Sequence, residues 1–146
     1  QCGGQYHTLF LPEFLSEQAY TLMMEEPIVK ETVQLYDDAN IVIHGIGTAS
    51  EMGKRRKMSE EDNAQLVDKG AVGEAFGYYF DESGNVIYRI QTVGIQIEQV
   101  KQSELILAIA GGKSKAMAIE AYFKIAANHT ILITDEGAAD EILNHG

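Results

Sequence analysis

Gly111-Gly112-Lys113-Ser114-Lys115 has the composition of an anion site. An apolar run, Leu105 to Ala110, ends there and a helical stretch from about Ala116 to Ala127 begins. The two glycines let backbone approach a ligand, and the first turn of a helix offers unpaired N–H groups. Ser114 adds a hydroxyl donor and Lys115 a full charge. Each charge-assisted hydrogen bond to a phosphate is worth about 1.5–3 kcal/mol. The spacing is not that of a nucleotide P-loop, and no G-x-G-x-x-G occurs. A tight strand-to-helix turn with solvated lysines accounts for the same residues.

Arg55 and Arg56 are the only adjacent arginines, inside the basic cluster Lys54 to Lys57. Two readings compete for them. Cations are favoured near a helix C-terminus, or one arginine turns inward and grips a phosphate with both of its planar N–H edges. Glu74 lies in Val72-Gly73-Glu74-Ala75-Phe76-Gly77, among small and apolar residues. A carboxylate placed there must be compensated, either by sugar hydroxyls that donate to it or by an internal ion pair; a role as general base is the weaker option. His7, His44, His129 and His145 have no metal-ligand spacing, and Cys2 has no plausible partner, so zinc and Cys–His chemistry are unsupported and Cys2 reads as inert. Asp135 and Glu136 follow an apolar run, and an acidic helix start explains them without a site.

These residues need a scaffold. The chain has 146 residues, 45% of them hydrophobic and 23% charged, which fits a single compact, soluble domain. Lys plus Arg number 11 against 22 Asp plus Glu, a net charge of −11 that repels nucleic acid and anionic lipid. No apolar run approaches the ~20 residues of a membrane-spanning helix, and a single cysteine points to an intracellular protein. Gln1 in place of Met suggests part of a longer chain.

Tyr6 to Leu11 reads as a strand stopped by Pro12, and Ser16 as the cap of a helix. Pro27 opens a second helix whose apolar stripe runs to Asp38. Ile41 to Ile43 is a buried strand ending in the glycine-rich His44-Gly45-Ile46-Gly47. A basic helical stretch, Gly53 to Lys57, precedes an acidic helix opening at Ser59. Gly77 to Phe80 and Val86 to Ile90 flank a five-residue loop and form a hairpin. Leu105 to Ala110, the helix after it and His129 to Thr134 make a β-loop-α-β unit, with Asp135 opening a last helix. Both strands are apolar on each face, as in a parallel sheet covered on both sides. The fold class is α/β, an open, mostly parallel sheet flanked by helices, with ligands at its C-terminal strand ends.

Six motifs, in order, carry a resemblance: His-Gly-Ile-Gly at 44–47, Arg-Arg at 55–56, Glu-Ala-Phe-Gly-Tyr-Tyr-Phe at 74–80, Ala-Gly-Gly-Lys-Ser-Lys-Ala at 110–116, Glu-Ala-Tyr-Phe at 120–123 and Thr-Asp-Glu-Gly-Ala-Ala at 134–139. Over nearly the whole chain the sequence resembles the effector-binding domain of the SorC family of bacterial transcriptional regulators. The resemblance implies a Rossmann-type fold like that of glucosamine-6-phosphate deaminase, ribose-5-phosphate isomerase and the CoA transferases. In this family it senses a phosphorylated sugar without catalysis, and in the family's glycolytic regulators that sugar is fructose-1,6-bisphosphate. By motif, Arg55 and Lys115 would hold one phosphate together with Gly111, Gly112 and Ser114, and Glu74 would accept from a sugar hydroxyl. Lys113 stands where relatives commonly carry a small hydroxyl residue.

The family's DeoR-type helix-turn-helix and the first part of its effector domain, with a Gly-Thr-Thr phosphate loop and a further arginine, have no counterpart in these residues. Residues 1–146 therefore correspond to the C-terminal part of the effector domain, a fold incomplete on its N-terminal side. The resemblance further implies a cytoplasmic homo-oligomer, dimer or tetramer, that has no cofactor or metal, binds no membrane and meets DNA only through the missing domain. Two alternatives remain: a sugar-phosphate isomerase or deaminase with Glu74 as base, and a purely structural oligomerisation domain.

Overall fold

The computed structural model describes residues 3–12 and 15–145, so Cys2 lies outside the described residues. Helix α1 (Glu17–Met23) starts where the Ser16 hydroxyl accepts the Ala19 N–H, and α2 (Pro27–Gln34) has Pro27 in its first turn. Strand β1 (Ile41–Gly45) leads through Ile46 into the short β2 (Gly47–Thr48) and α3 (Ala49–Arg55). Ser59 caps α4 (Glu60–Asp68), whose Glu60, Glu61 and Asp62 complement the helix dipole. Next come β3 (Ala71–Ala75), β4 (Tyr78–Asp81), β5 (Val86–Arg89) and the single turn α5 (Ile97–Val100). Strand β6 (Leu105–Ile109), a 3₁₀ turn at Lys113–Lys115, α6 (Ala116–Phe123), β7 (Thr130–Ile133) and α7 (Glu136–His145) complete the chain.

The strands form two sheets. β1, β6 and β7 run parallel in the order β1-β6-β7, and β2, β3, β4 and β5 form an antiparallel sheet in chain order. The α/β class with an open parallel sheet stands. The expected hairpin is present as β4 and β5, and it belongs to a larger antiparallel layer that includes the unanticipated β3. α6 packs against both sheets: Ala118, Ile119, Ala121 and Tyr122 form one core with Ala108 of β6 and with Ala75 and Phe80 of the second sheet. Fully burying a side chain such as Ile119 contributes about 1.5–3 kcal/mol.

Two expectations are corrected. Tyr6 to Leu11 is not a strand: it has no ladder partner among the described residues, and Tyr6 and Phe10 are each 89% exposed. Among the described residues, the parallel sheet is also covered on one face only. Val42, Ile106, Ala108 and Ala110 are buried, whereas on the opposite face Ile41, Ile43, Ile109, Ile131 and Ile133 are exposed. Those side chains alternate with the buried ones along each strand, as the pleat requires. Among the described residues no helix is long and apolar enough to cross a membrane.

Candidate ligand-binding cleft

At the C-terminal ends of parallel strands β1 and β6, the segments that follow them, with the end of α3 and the turn after β3, enclose a cleft of about 310 Å³ lined by His44, Gly45, Gly47, Arg55, Arg56, Glu74, Phe76 and Lys115 among others. Arg55, Glu74 and Lys115, picked out from sequence, thus meet on one cavity although 60 residues of chain separate the first from the last.

The end of α3 sorts the two arginines. Thr48 caps the helix start. At its end the Met58 N–H bonds the Gly53 carbonyl and the Lys57 N–H the Lys54 carbonyl, while Lys57 takes a positive φ of 56°. This is a Schellman termination, with lysine where glycine is usual. Arg55, in the last turn, stays exposed at the cleft mouth. Arg56, just past it, turns in: its side chain is 7% exposed, its Nη2 lies 2.9 Å from Glu74 Oε1, and its guanidinium lies 5.9 Å from the Tyr79 ring centroid, within cation–π range.

Glu74 sits on β3 between Gly47 of β2 and Tyr79 of β4, with its side chain only 3% exposed. Its Oε1 accepts from Arg56 and, at 2.5 Å, from the Gly77 N–H. Of the sequence readings for Glu74, the internal ion pair is present, and the residue also lines the cleft. β3 escapes a propensity reading because three of its five residues, Ala71, Gly73 and Ala75, are small. Gly73 is one by necessity: a Cβ there would come within 2.4 Å of the Phe80 ring.

The glycine loop differs most from expectation. Gly112, at φ 95°, has a conformation that suits glycine, and a Cβ on Gly111 would lie 2.7 Å from Asp135 Oδ2. The Asp135 carboxylate accepts the Ala138 N–H at 2.8 Å and also that of Gly112. These bonds, Ala138 first, hold its carboxyl below the usual carboxylate range. Gly111 therefore makes room for a clamp between this loop and the start of α7, and the Gly112 amide is spent on protein. Ser114 and Lys113 line a separate cleft with Glu120 and Lys124, and Lys113 lies 3.8 Å from Glu141. From the run 111–115, Lys115 is the residue that lines the cleft of Arg55 and Glu74.

Sequence reasoning did not single out His44 and Phe76. The His44 Nδ1 lies 3.0 Å from the Gly45 carbonyl and its Nε2 3.1 Å from the Tyr122 hydroxyl. With Nδ1 protonated and donating to Gly45, Nε2 accepts from Tyr122, which satisfies a neutral ring. Burial pushes the His44 pKa down, partly offset by the Gly45 bond, and burial pushes the Tyr122 hydroxyl up to about 12. The Phe76 ring centroid lies 4.5 Å from that of His44. Among the described residues no cluster of three or more His, Cys, Asp or Glu is placed to hold a metal ion.

Comparison with known proteins now bears on this geometry. A family model described as a sugar-binding domain matches residues 1–144. The chain is 46% identical over 143 residues to the central glycolytic genes regulator of Bacillus subtilis (strain 168), which covers 98% of this chain and 42% of that protein. The crystal structure of a SorC family transcriptional regulator from Enterococcus faecalis superposes with a TM-score of 0.89 at 48% identity, over 97% of this chain and 57% of that one. The chain belongs to the SorC-type sugar-binding domain family. The full-length sorbitol operon regulator SorC of Klebsiella pneumoniae, 19% identical with a TM-score of 0.80 over 93% of this chain and 46% of its own, shares the fold. This SorC-type domain spans about two fifths of the length of the curated relatives it matches.

Proposed function

We propose that this SorC-type domain is the effector sensor of a cytoplasmic transcriptional repressor of glycolytic genes, and that its effector is a phosphorylated sugar, fructose-1,6-bisphosphate. The observation that carries the reading is the convergence of Arg55, Lys115 and Glu74 on one cleft at the C-terminal strand ends, the edge at which open α/β sheets bind ligands. Arg55 and Lys115 take one phosphate of the sugar. Glu74 accepts from a sugar hydroxyl. Gly111, Gly112 and Ser114 belong to the loop that presents Lys115, with Asp135 holding that loop in place. In a domain of net charge −11 this basic mouth is where an anionic ligand is drawn in.

Ligand occupancy shifts the oligomeric arrangement of the whole repressor, a dimer or tetramer, and lowers its affinity for operator DNA. DNA is gripped by a helix-turn-helix outside residues 1–146, which an acidic domain of this kind does not replace. Identity to the glycolytic regulators supports this reading. The isomerase or deaminase alternative requires Glu74 to move a proton. Its Oε1 is instead engaged by Arg56 and by the Gly77 amide, which favours sensing over catalysis.

Calorimetric titration of the full-length protein with fructose-1,6-bisphosphate, alongside a coupled assay for its turnover, tests the proposal. Saturable binding without turnover, weakened at least tenfold in Lys115→Ala, is expected. Turnover abolished by Glu74→Gln would overturn it in favour of the enzyme.

A further inference from the structure

Strands β3 and β4 are joined by Phe76 and Gly77 alone, since Ala75 and Tyr78 are a register pair. Both loop residues have positive φ, 56° for Phe76 and 88° for Gly77. Positive φ at both central positions of a two-residue hairpin is the mark of a type I′ turn, whose twist matches the flanking strands and whose first central position favours Asn, Asp or Gly. Phenylalanine there is an outlier: its Cβ crowds the backbone, and its side chain offers no local hydrogen bond in return. Bulky residues held in such conformations concentrate at functional sites, where their surroundings over-determine them.

The surroundings of Phe76 do so. Its ring is half-buried against His44, at 4.5 Å between centroids and a tilt of 43°, and borders the cleft of Arg55 and Lys115. The next residue is fixed as well, because the Gly77 N–H donates to Glu74 Oε1, the oxygen that also meets Arg56. Turn, carboxylate and arginine form one unit that sets where the ring lies. The cleft thus joins cations suited to a phosphate with the apolar Phe76 ring.

We propose that Phe76 is the specificity-determining residue of this cleft, an apolar platform for the carbon face of a sugar whose phosphate is held by Arg55 and Lys115. A sugar presents weakly positive C–H groups, which the negative face of an aromatic ring attracts while both surfaces leave water. Inorganic phosphate has no such face. The ring therefore separates phosphorylated sugars from free phosphate, a distinction cations alone cannot make. The inference rests on the sugar-phosphate reading of the cleft and adds to Glu74, which meets a hydroxyl, a residue that selects for the sugar's carbon face.

Two variants test it. Phe76→Leu keeps apolar bulk and removes the aromatic face; Phe76→Asn removes the ring and supplies a residue suited to the turn. Each is titrated, in the full-length protein, with fructose-1,6-bisphosphate and with inorganic phosphate as its competitor, and each is melted. The expected result is at least a fivefold loss of sugar-phosphate affinity in both variants, with phosphate affinity within twofold of the parent. Should only one variant fold, the same split is read from that one. Unchanged sugar-phosphate affinity, or equal losses for the two ligands, would overturn the role of Phe76. Failure of the parent protein to bind any sugar phosphate would instead overturn the reading of the cleft beneath it.

Discussion

Arg55 and Arg56 are neighbours in sequence, yet the Schellman end of α3 leaves Arg55 exposed and drives Arg56 onto Glu74. Their substitutions should separate accordingly. Arg55→Ala is expected to leave stability within about 0.5 kcal/mol while weakening sugar-phosphate binding. Arg56→Ala strands a buried carboxylate and should cost about 3–5 kcal/mol, read as a lowered melting temperature. Equal effects of the two on stability would contradict the assignment. His44 gives a pH signature. Its pKa is lowered by burial in the fold, so below the unfolded value of about 6.5 the unfolded chain binds the proton more readily. The stability it confers is complete above that pH and lost as pH falls through it toward the lower folded value. Thermal melts from pH 8 to pH 5 should show part of the acid loss disappearing in His44→Gln. At this scale the arginine pair, Glu74 and Lys115 were legible from residue type and motif. Which arginine turns inward was not, because that depends on the left-handed Lys57, a position where sequence patterns lead one to look for glycine.

Elements were legible wherever their signal was local. Ser16 and Ser59 cap helices as their spacing suggests, and the β-loop-α-β unit from β6 to β7 follows its apolar runs. β3 was not, because Ala71 to Ala75 has small residues where strands usually carry branched or aromatic ones, for a reason that lies across the sheet in the Phe80 ring. The opposite error arose at Tyr6 to Leu11, apolar enough for a strand but without a neighbour to pair with among the described residues. The glycine loop has the composition of an anion cradle, yet Gly111 leaves space for Asp135, a partner more than 20 residues away, and the Gly112 amide bonds that carboxylate. One element-scale prediction concerns Lys57. Glycine there relieves the positive φ at some entropic cost, so Lys57→Gly should stabilise the domain by about 0.5–1 kcal/mol. A lower melting temperature would show that Lys57 makes compensating contacts.

For the molecule as a whole, the two sheets divide the labour: the parallel one supplies the strand ends of the cleft, the antiparallel one supplies Glu74 and the Phe76 turn, and α6 packs against both. The parallel sheet leaves an apolar face of five exposed isoleucines open among the described residues, on a domain that spans 42% of its Bacillus subtilis relative. The runs Leu105 to Ala110 and His129 to Thr134 carry apolar residues on both faces, a pattern that suggests cover on both sides; alternation of exposed and buried residues can be seen only once the layers are placed. The two sheets and α6 together serve the cleft of Arg55, Glu74 and Lys115, for which we propose a phosphorylated sugar as ligand. The most direct test is calorimetric titration of the full-length protein with fructose-1,6-bisphosphate, repeated on Lys115→Ala. Saturable binding that falls at least tenfold in the variant, with its melting temperature unchanged, is the predicted result; binding of equal strength in both proteins would contradict it.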